Sequence, residues 1–156
     1  REAVDLRYVD AGAGRPTWLL FNGGSLPLEF WDGLADDLAA TGRVVRFDQR
    51  SAGGTRATGA FSLLDVAADA ARLHAHLGLD PVIAVGHAWG GRVAQVFARD
   101  YPHRVSALVL CGTGGQFPPR LEPGMQEALR AAAAARDRRA WEVALANSYF
   151  GAGYAA

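Results

Sequence analysis

The sequence predicts an α/β fold, a mostly parallel sheet with helices on both faces, and three observations predict it. Short apolar runs alternate with amphipathic helical stretches from residue 17 to residue 111, a pattern that right-handed crossovers turn into parallel strands. Three of the runs, 17–21, 44–47 and 105–111, stop at turns rich in glycine or polar residues: Asn22-Gly23-Gly24, residues 48–54 and residues 112–115. The run 81–85 feeds directly into Gly86-His87-Ala88-Trp89-Gly90-Gly91. Glycines two before and two after a central residue let a strand turn sharply into a helix, and the central side chain is then held strained and exposed.

Each element has its own signal. Leu6–Asp10 alternates like a half-buried strand and ends in Ala11-Gly12-Ala13-Gly14. Thr17–Phe21 is continuously apolar, as in a strand buried on both faces. Leu28, Trp31, Leu34 and Leu38 share one helical face, and Gly42 closes that segment. Ser62 with Asp65 forms a capping-box start. Leu63, Val66, Ala70, Leu73 and Leu77 then draw an apolar stripe that runs to Gly78. A helix carrying Val93, Val96 and Phe97 follows the glycine turn and stops at Tyr101-Pro102, since proline cannot continue it. Val105–Cys111 reads as another buried strand, which makes Cys111 a buried, inert thiol. Residues 121–150 hold two helical stretches broken around Asp137, and no repeat is present.

Four separated segments, in order, resemble the α/β-hydrolase superfamily over residues 4–115. Phe21-Asn22-Gly23-Gly24 is similar to the His-Gly-Gly turn after the family's third strand. Phe47-Asp48-Gln49-Arg50 is similar to the Asp-Gln-Arg-Gly-x-Gly segment after its fourth. Gly86–Gly91 looks like the nucleophile elbow, and Tyr101-Pro102-His103-Arg104-Val105 leads into the sixth strand. The resemblance implies an α/β-hydrolase fold. Residues 1–115 would be the N-terminal part of its core, and 116–156 the beginning of a helical cap within which the chain is truncated. Arg1 and Ala155-Ala156 accordingly read as cut ends.

The implied activity is hydrolysis of an ester, lactone or amide bond through a Ser-His-Asp triad and an acyl-enzyme. Ala88 occupies the nucleophile position, and a methyl group cannot attack. The resemblance assigns the oxyanion hole to the backbone N–H groups of Trp89 and Gly24, with Gly23 giving the backbone room. Such donors survive the loss of a side chain. Asn22, where the family usually has histidine, Gly23, Trp141 and Tyr149 are expected to contact substrate. Trp141, Leu145, Tyr149 and Phe150 share a helical spacing that ordinary packing on the core explains better than pocket lining. Ser51 stands where Asp-Gln-Arg is usually followed by glycine. The triad acid and histidine are expected beyond Ala156, and residues 112–116 contain no carboxylate for the variant acid position. The intact elbow favours a Ser→Ala change; a natural non-catalytic homologue that binds a ligand or partner is the alternative. An aspartate nucleophile, as in epoxide hydrolases and haloalkane dehalogenases, is compatible with Trp89. Asn22-Gly23-Gly24 and Phe47–Arg50 look more like the serine branch that includes proline iminopeptidases and enol-lactonases.

Other chemistries lack their residues. His74 and His76, two apart on a helix, point to different sides and read as surface or edge residues. His87 should turn inward, and His103 should lie at the far end of the sheet. No His/Asp/Glu set has metal-ligand spacing, so neither metal nor cofactor is expected. Gly12-Ala13-Gly14 lacks the third glycine of a dinucleotide fingerprint, and the chain has no lysine for a Walker motif. Sixteen basic and 16 acidic side chains cancel without blocks, which argues against nucleic acid and a membrane surface. A small-molecule substrate and a cytoplasmic location are the expectations. A sheet ending at the sixth strand would have an open edge, so a complementing C-terminal segment or a homo-oligomer is also expected.

Overall fold

A computed structural model describes residues 4–50, 52–115, 123–140 and 143–144. Two compact units divide the chain, 1–115 and 116–156. In the first, β1 (Tyr8–Gly12), β2 (Thr17–Phe21), β3 (Arg43–Phe47), β4 (Val82–His87) and β5 (Val105–Cys111) form one sheet in the order β1-β3-β2-β4-β5. The three inner pairings are parallel and β1 runs antiparallel to β3.

Alternation across β2 explains its unbroken apolar run. Leu19 and Phe21, with Val45, Phe47, Val82 and Ala84, pack under α2 (Leu63–His76) and α3 (Trp89–Asp100) through Val66, Ala70, Leu73, Val93 and Phe97. Leu20, with Val44 and Val85, meets Trp31 and Ala35 on the other face. Helices thus cover both faces. Phe21 lies 5.5 Å from Phe47 and 5.7 Å from Phe97 between ring centroids. Truncating such a ring to alanine costs about 3–5 kcal/mol. The capping box forms as read: Ser62 Oγ accepts from the Asp65 N–H and the Asp65 carboxylate accepts from the Ser62 N–H at 2.8 Å.

Several expectations need correction. The first strand lies two residues later than its alternation suggested, because it is a half-exposed edge paired only to β3. The segment after Pro27 begins as a 3₁₀ turn (Leu28–Trp31) before α1 (Asp32–Ala39). Three residues per turn shift the phase of the apolar stripe, so Leu28, Trp31 and Ala35 are buried while Leu34 is exposed. Among the described residues β5 is the terminal strand of the sheet opposite β1; its Leu108, Val109 and Leu110 are exposed, and Cys111 is exposed rather than buried. His74 is buried, not on the surface, and packs 6.3 Å from Phe97 between ring centroids.

Within the second unit α4 spans Pro123–Ala134. Arg136 (φ 54°) turns the chain, and Asp137 accepts the Ala140 N–H at 2.9 Å, opening the next helical turn.

Candidate active site

One residue makes the turn from β4 into α3. Ala88 holds φ 49° and ψ −114°, a conformation that costs an L-residue on the order of 1–3 kcal/mol and persists only where its surroundings over-determine it. They do so here. The Ala88 N–H donates to the Cys111 carbonyl at 3.0 Å, and the Ala88 carbonyl accepts from the Gly91 N–H at 3.1 Å. The flanking glycines are sites of close approach. A Cβ on Gly86 would lie 2.5 Å from the Gly91 Cα, and one on Gly91 would lie 2.6 Å from the Thr113 Cβ. A Cβ on Gly90 would run into the carbonyl oxygens of Phe21 and Asn22. The elbow is therefore wedged between the end of β2 and the loop after β5.

The loop after β2 lies against it. A Cβ on Gly24 would sit 3.6 Å from the Trp89 Cβ, ordinary contact distance. Gly23 has no such room, since a Cβ there would meet His87 Nδ1 at 2.9 Å. His87 stacks on Phe30 at 4.9 Å and meets the edge of Trp31 at 6.5 Å, and among the described residues its buried Nδ1 has no hydrogen-bond partner.

Buried polar contacts hold this loop. Asn22, fully buried, donates through Nδ2 to the carbonyls of Leu26 and Phe47, each at 3.1 Å, and its Oδ1 accepts from Trp31 Nε1 at 2.9 Å. Gln49 Nε2 donates to the Asn22 carbonyl at 2.6 Å. The Asp48 carboxylate, also fully buried, accepts the N–H groups of Leu28 and Gly54, each at 2.6 Å. Arg7 reaches both Asp48 (3.1 Å) and Glu29. Hydrogen bonding to Arg7 holds the Glu29 carboxyl below the usual carboxylate range, and the Arg7 guanidinium is raised in turn.

Gly23, Gly24, Ala88 and Trp89 are brought together. Asn22 is not available to a substrate: its amide is fully engaged in the scaffold, because a side chain at the end of a strand buried on both faces has only protein around it. Trp141 and Tyr149, like Leu145 and Phe150, lie outside the described residues. His103 sits before β5, whose first residue pairs with Val82 at the end of β4 remote from the elbow. His76 is exposed beside Tyr8. Among the described residues no three His, Cys, Asp or Glu side chains are grouped to hold a metal. No described helix is long and apolar enough to cross a membrane. The structural roles of Arg7, Asp48 and Gln49 leave one trace in the sequence, a carboxylate and an amide directly after a buried strand.

The family model of the alpha/beta hydrolase fold matches residues 16–152. The chain belongs to this family. A non-heme haloperoxidase from Rhodococcus erythropolis is 39% identical over 114 residues, covering 71% of this chain and 41% of the relative. A soluble epoxide hydrolase from Corynebacterium sp. (strain C12) is 36% identical over 107 residues, covering 67% and 37%. Among solved structures, a malate-bound thermophilic esterase from Thermogutta terrifontis superposes with TM-score 0.74 at 30% identity, covering 86% of this chain and 49% of that one. The chain thus spans about two-fifths of the length of these two curated relatives. Its fold is that of the α/β-hydrolases.

Proposed function

We propose that residues 1–115 carry the elbow and oxyanion loop of a hydrolase acting on a small-molecule ester, lactone or amide, with Ala88 replacing the nucleophilic serine. Residues 116–156 begin its helical cap. The observation that carries this reading is the backbone of Ala88. A φ of 49° with ψ −114° projects a side chain at the first turn of α3, and nothing about alanine itself favours that conformation. It is the geometry an attacking hydroxyl needs. The N–H groups of Gly24 and Trp89 then face the developing oxyanion, at a helix N-terminus whose dipole favours negative charge.

In this reading the general base and its acid come from outside residues 1–156, in keeping with the part of the relatives' length that the chain spans. The serine branch, similar to proline iminopeptidases and enol-lactonases, accounts for Asn22-Gly23-Gly24 and Phe47–Arg50. The 36% identity to an epoxide hydrolase supports a second reading, in which the replaced nucleophile is aspartate.

The test is a pair of variants of the full-length protein, Ala88→Ser and Ala88→Asp. Each is assayed on p-nitrophenyl esters and on a small epoxide. Removing a triad nucleophile costs on the order of 10⁶ in kcat, so Ala88→Ser should hydrolyse the ester well above the parent and be labelled at residue 88 by a phosphonate. Epoxide opening by Ala88→Asp alone would select the second reading. Two inert, folded variants would identify a non-catalytic binding homologue.

A further inference from the structure

We propose that Asp48 is a positioning residue: its buried carboxylate sets the loop that carries Gly24 and so fixes the distance between that loop and the elbow. The loop is short and pinned at both ends. At its start Asn22 is anchored to Phe47, Leu26 and Trp31. Its tip is a tight turn closed by the Leu26 N–H on the Gly23 carbonyl at 3.2 Å, with Ser25 at φ 61°. At its far end the Leu28 N–H donates to Asp48 Oδ1 at 2.6 Å. Between these anchors Gly24 rests against Trp89.

The same carboxylate ties in a second loop. Its Oδ2 accepts the Gly54 N–H at 2.6 Å and Arg7 Nη1 at 3.1 Å, while the Asp48 carbonyl accepts from Thr55 Oγ1 at 2.6 Å. Gly53, at φ 51°, folds so closely over the carboxylate that a Cβ there would collide with it. One side chain, with no exposed surface, thus joins residues 28 and 54 and Arg7, the residue before β1. A carboxylate so placed is an anchor of fixed length, because charge-assisted hydrogen bonds are short and directional. Moving it moves Leu28, and with Leu28 the turn that bears Gly24.

This inference rests on the oxyanion-loop reading only for its kinetic consequence; the geometric claim stands by itself. Two substitutions test it, Asp48→Asn and Gly53→Ala. The first keeps the volume and replaces one acceptor oxygen by an amide that faces donors; the second displaces the carboxylate by contact. Amide hydrogen exchange of the full-length protein is the first readout. Both variants should speed exchange at Leu28 at least about 10-fold and shift the Gly24 resonance, with the amides of β2 and β4 unchanged. Unchanged Leu28 and Gly24, or a uniform acceleration across the sheet, would overturn the proposal. In the Ala88→Ser background, kcat for an ester should fall about 10- to 100-fold with KM within about 3-fold, since small displacements of aligned groups cost that much. A KM effect with kcat preserved would overturn the positioning role. If Ala88→Ser alone is inert, the serine-nucleophile reading fails, and the exchange results still decide whether Asp48 sets the loop.

Discussion

The two loops that hold the elbow are built in opposite ways. The one after β2 is fastened by buried polar groups: Asn22 satisfies three partners, Gln49 and Asp48 add one bond each, and Arg7 braces Asp48. The side after β5 touches the elbow by the Ala88 N–H bond to the carbonyl of Cys111, the last residue of β5, and by the packing of Thr113 on Gly91; among the described residues Thr113 Oγ1 is buried without a partner. Buried polar groups are costly to leave unpaired and therefore specify geometry when they are paired. The β2 side is thus preset by polar contacts, and among the described residues the β5 side meets the elbow through one backbone bond and packing. For the proposed oxyanion hole this matters at Gly24, because a donor must be in place before charge develops.

Substitutions at the two loops should separate accordingly. Gly90→Ala forces a methyl group onto two backbone carbonyls of the preset side, neither of which can move without dragging β2. The expected loss is about 3 kcal/mol or more, read as a drop in Tm. Asn22→Ala leaves Trp31 Nε1 and the Phe47 carbonyl unpaired in the core, and about 2–3 kcal/mol should be lost in denaturant melts. On the other side, Thr113→Val removes a hydroxyl that has no partner among the described residues, and stability should be unchanged or higher by up to about 1 kcal/mol. Equal losses for Asn22→Ala and Thr113→Val would break the comparison.

A smaller effect lies away from both loops. Burial, and then the nearby Arg104, depress the titration of His74 below the ordinary imidazole value of 6.5, with a backbone contact at Asp80 acting the other way. In the unfolded chain His74 takes up its proton first. The contribution is therefore complete above about pH 6.5 and declines as pH falls from there toward the depressed folded value. Equilibrium melts from pH 7.5 to 5.5 should show this decline, and His74→Gln should flatten it. An unchanged slope in His74→Gln would remove His74 as its source.

The strands, the elbow and the Ser62–Asp65 cap were legible because each depends on neighbours in sequence: apolar runs, glycine spacing, a cap three residues ahead of its partner. What was not legible depends on contacts across the fold. Asn22 reads as a substrate contact until Trp31, Gln49 and Phe47, 9, 27 and 25 residues away, are folded onto it. β5 is as apolar as β2, and composition does not say which strand lies at an edge. His74 follows Leu73 on α2, where Ala67, Ala70 and Ala71 let the helix sink far enough to bury it.

The central claim is that an elbow without its nucleophile still presents two backbone donors to a carbonyl. A crystal structure of the Ala88 protein soaked with an intact ester tests it most directly. The account predicts an uncleaved ligand with its carbonyl oxygen about 3 Å from both the Gly24 and Trp89 nitrogens. An ester bound in the pocket with its carbonyl turned away from both would contradict it.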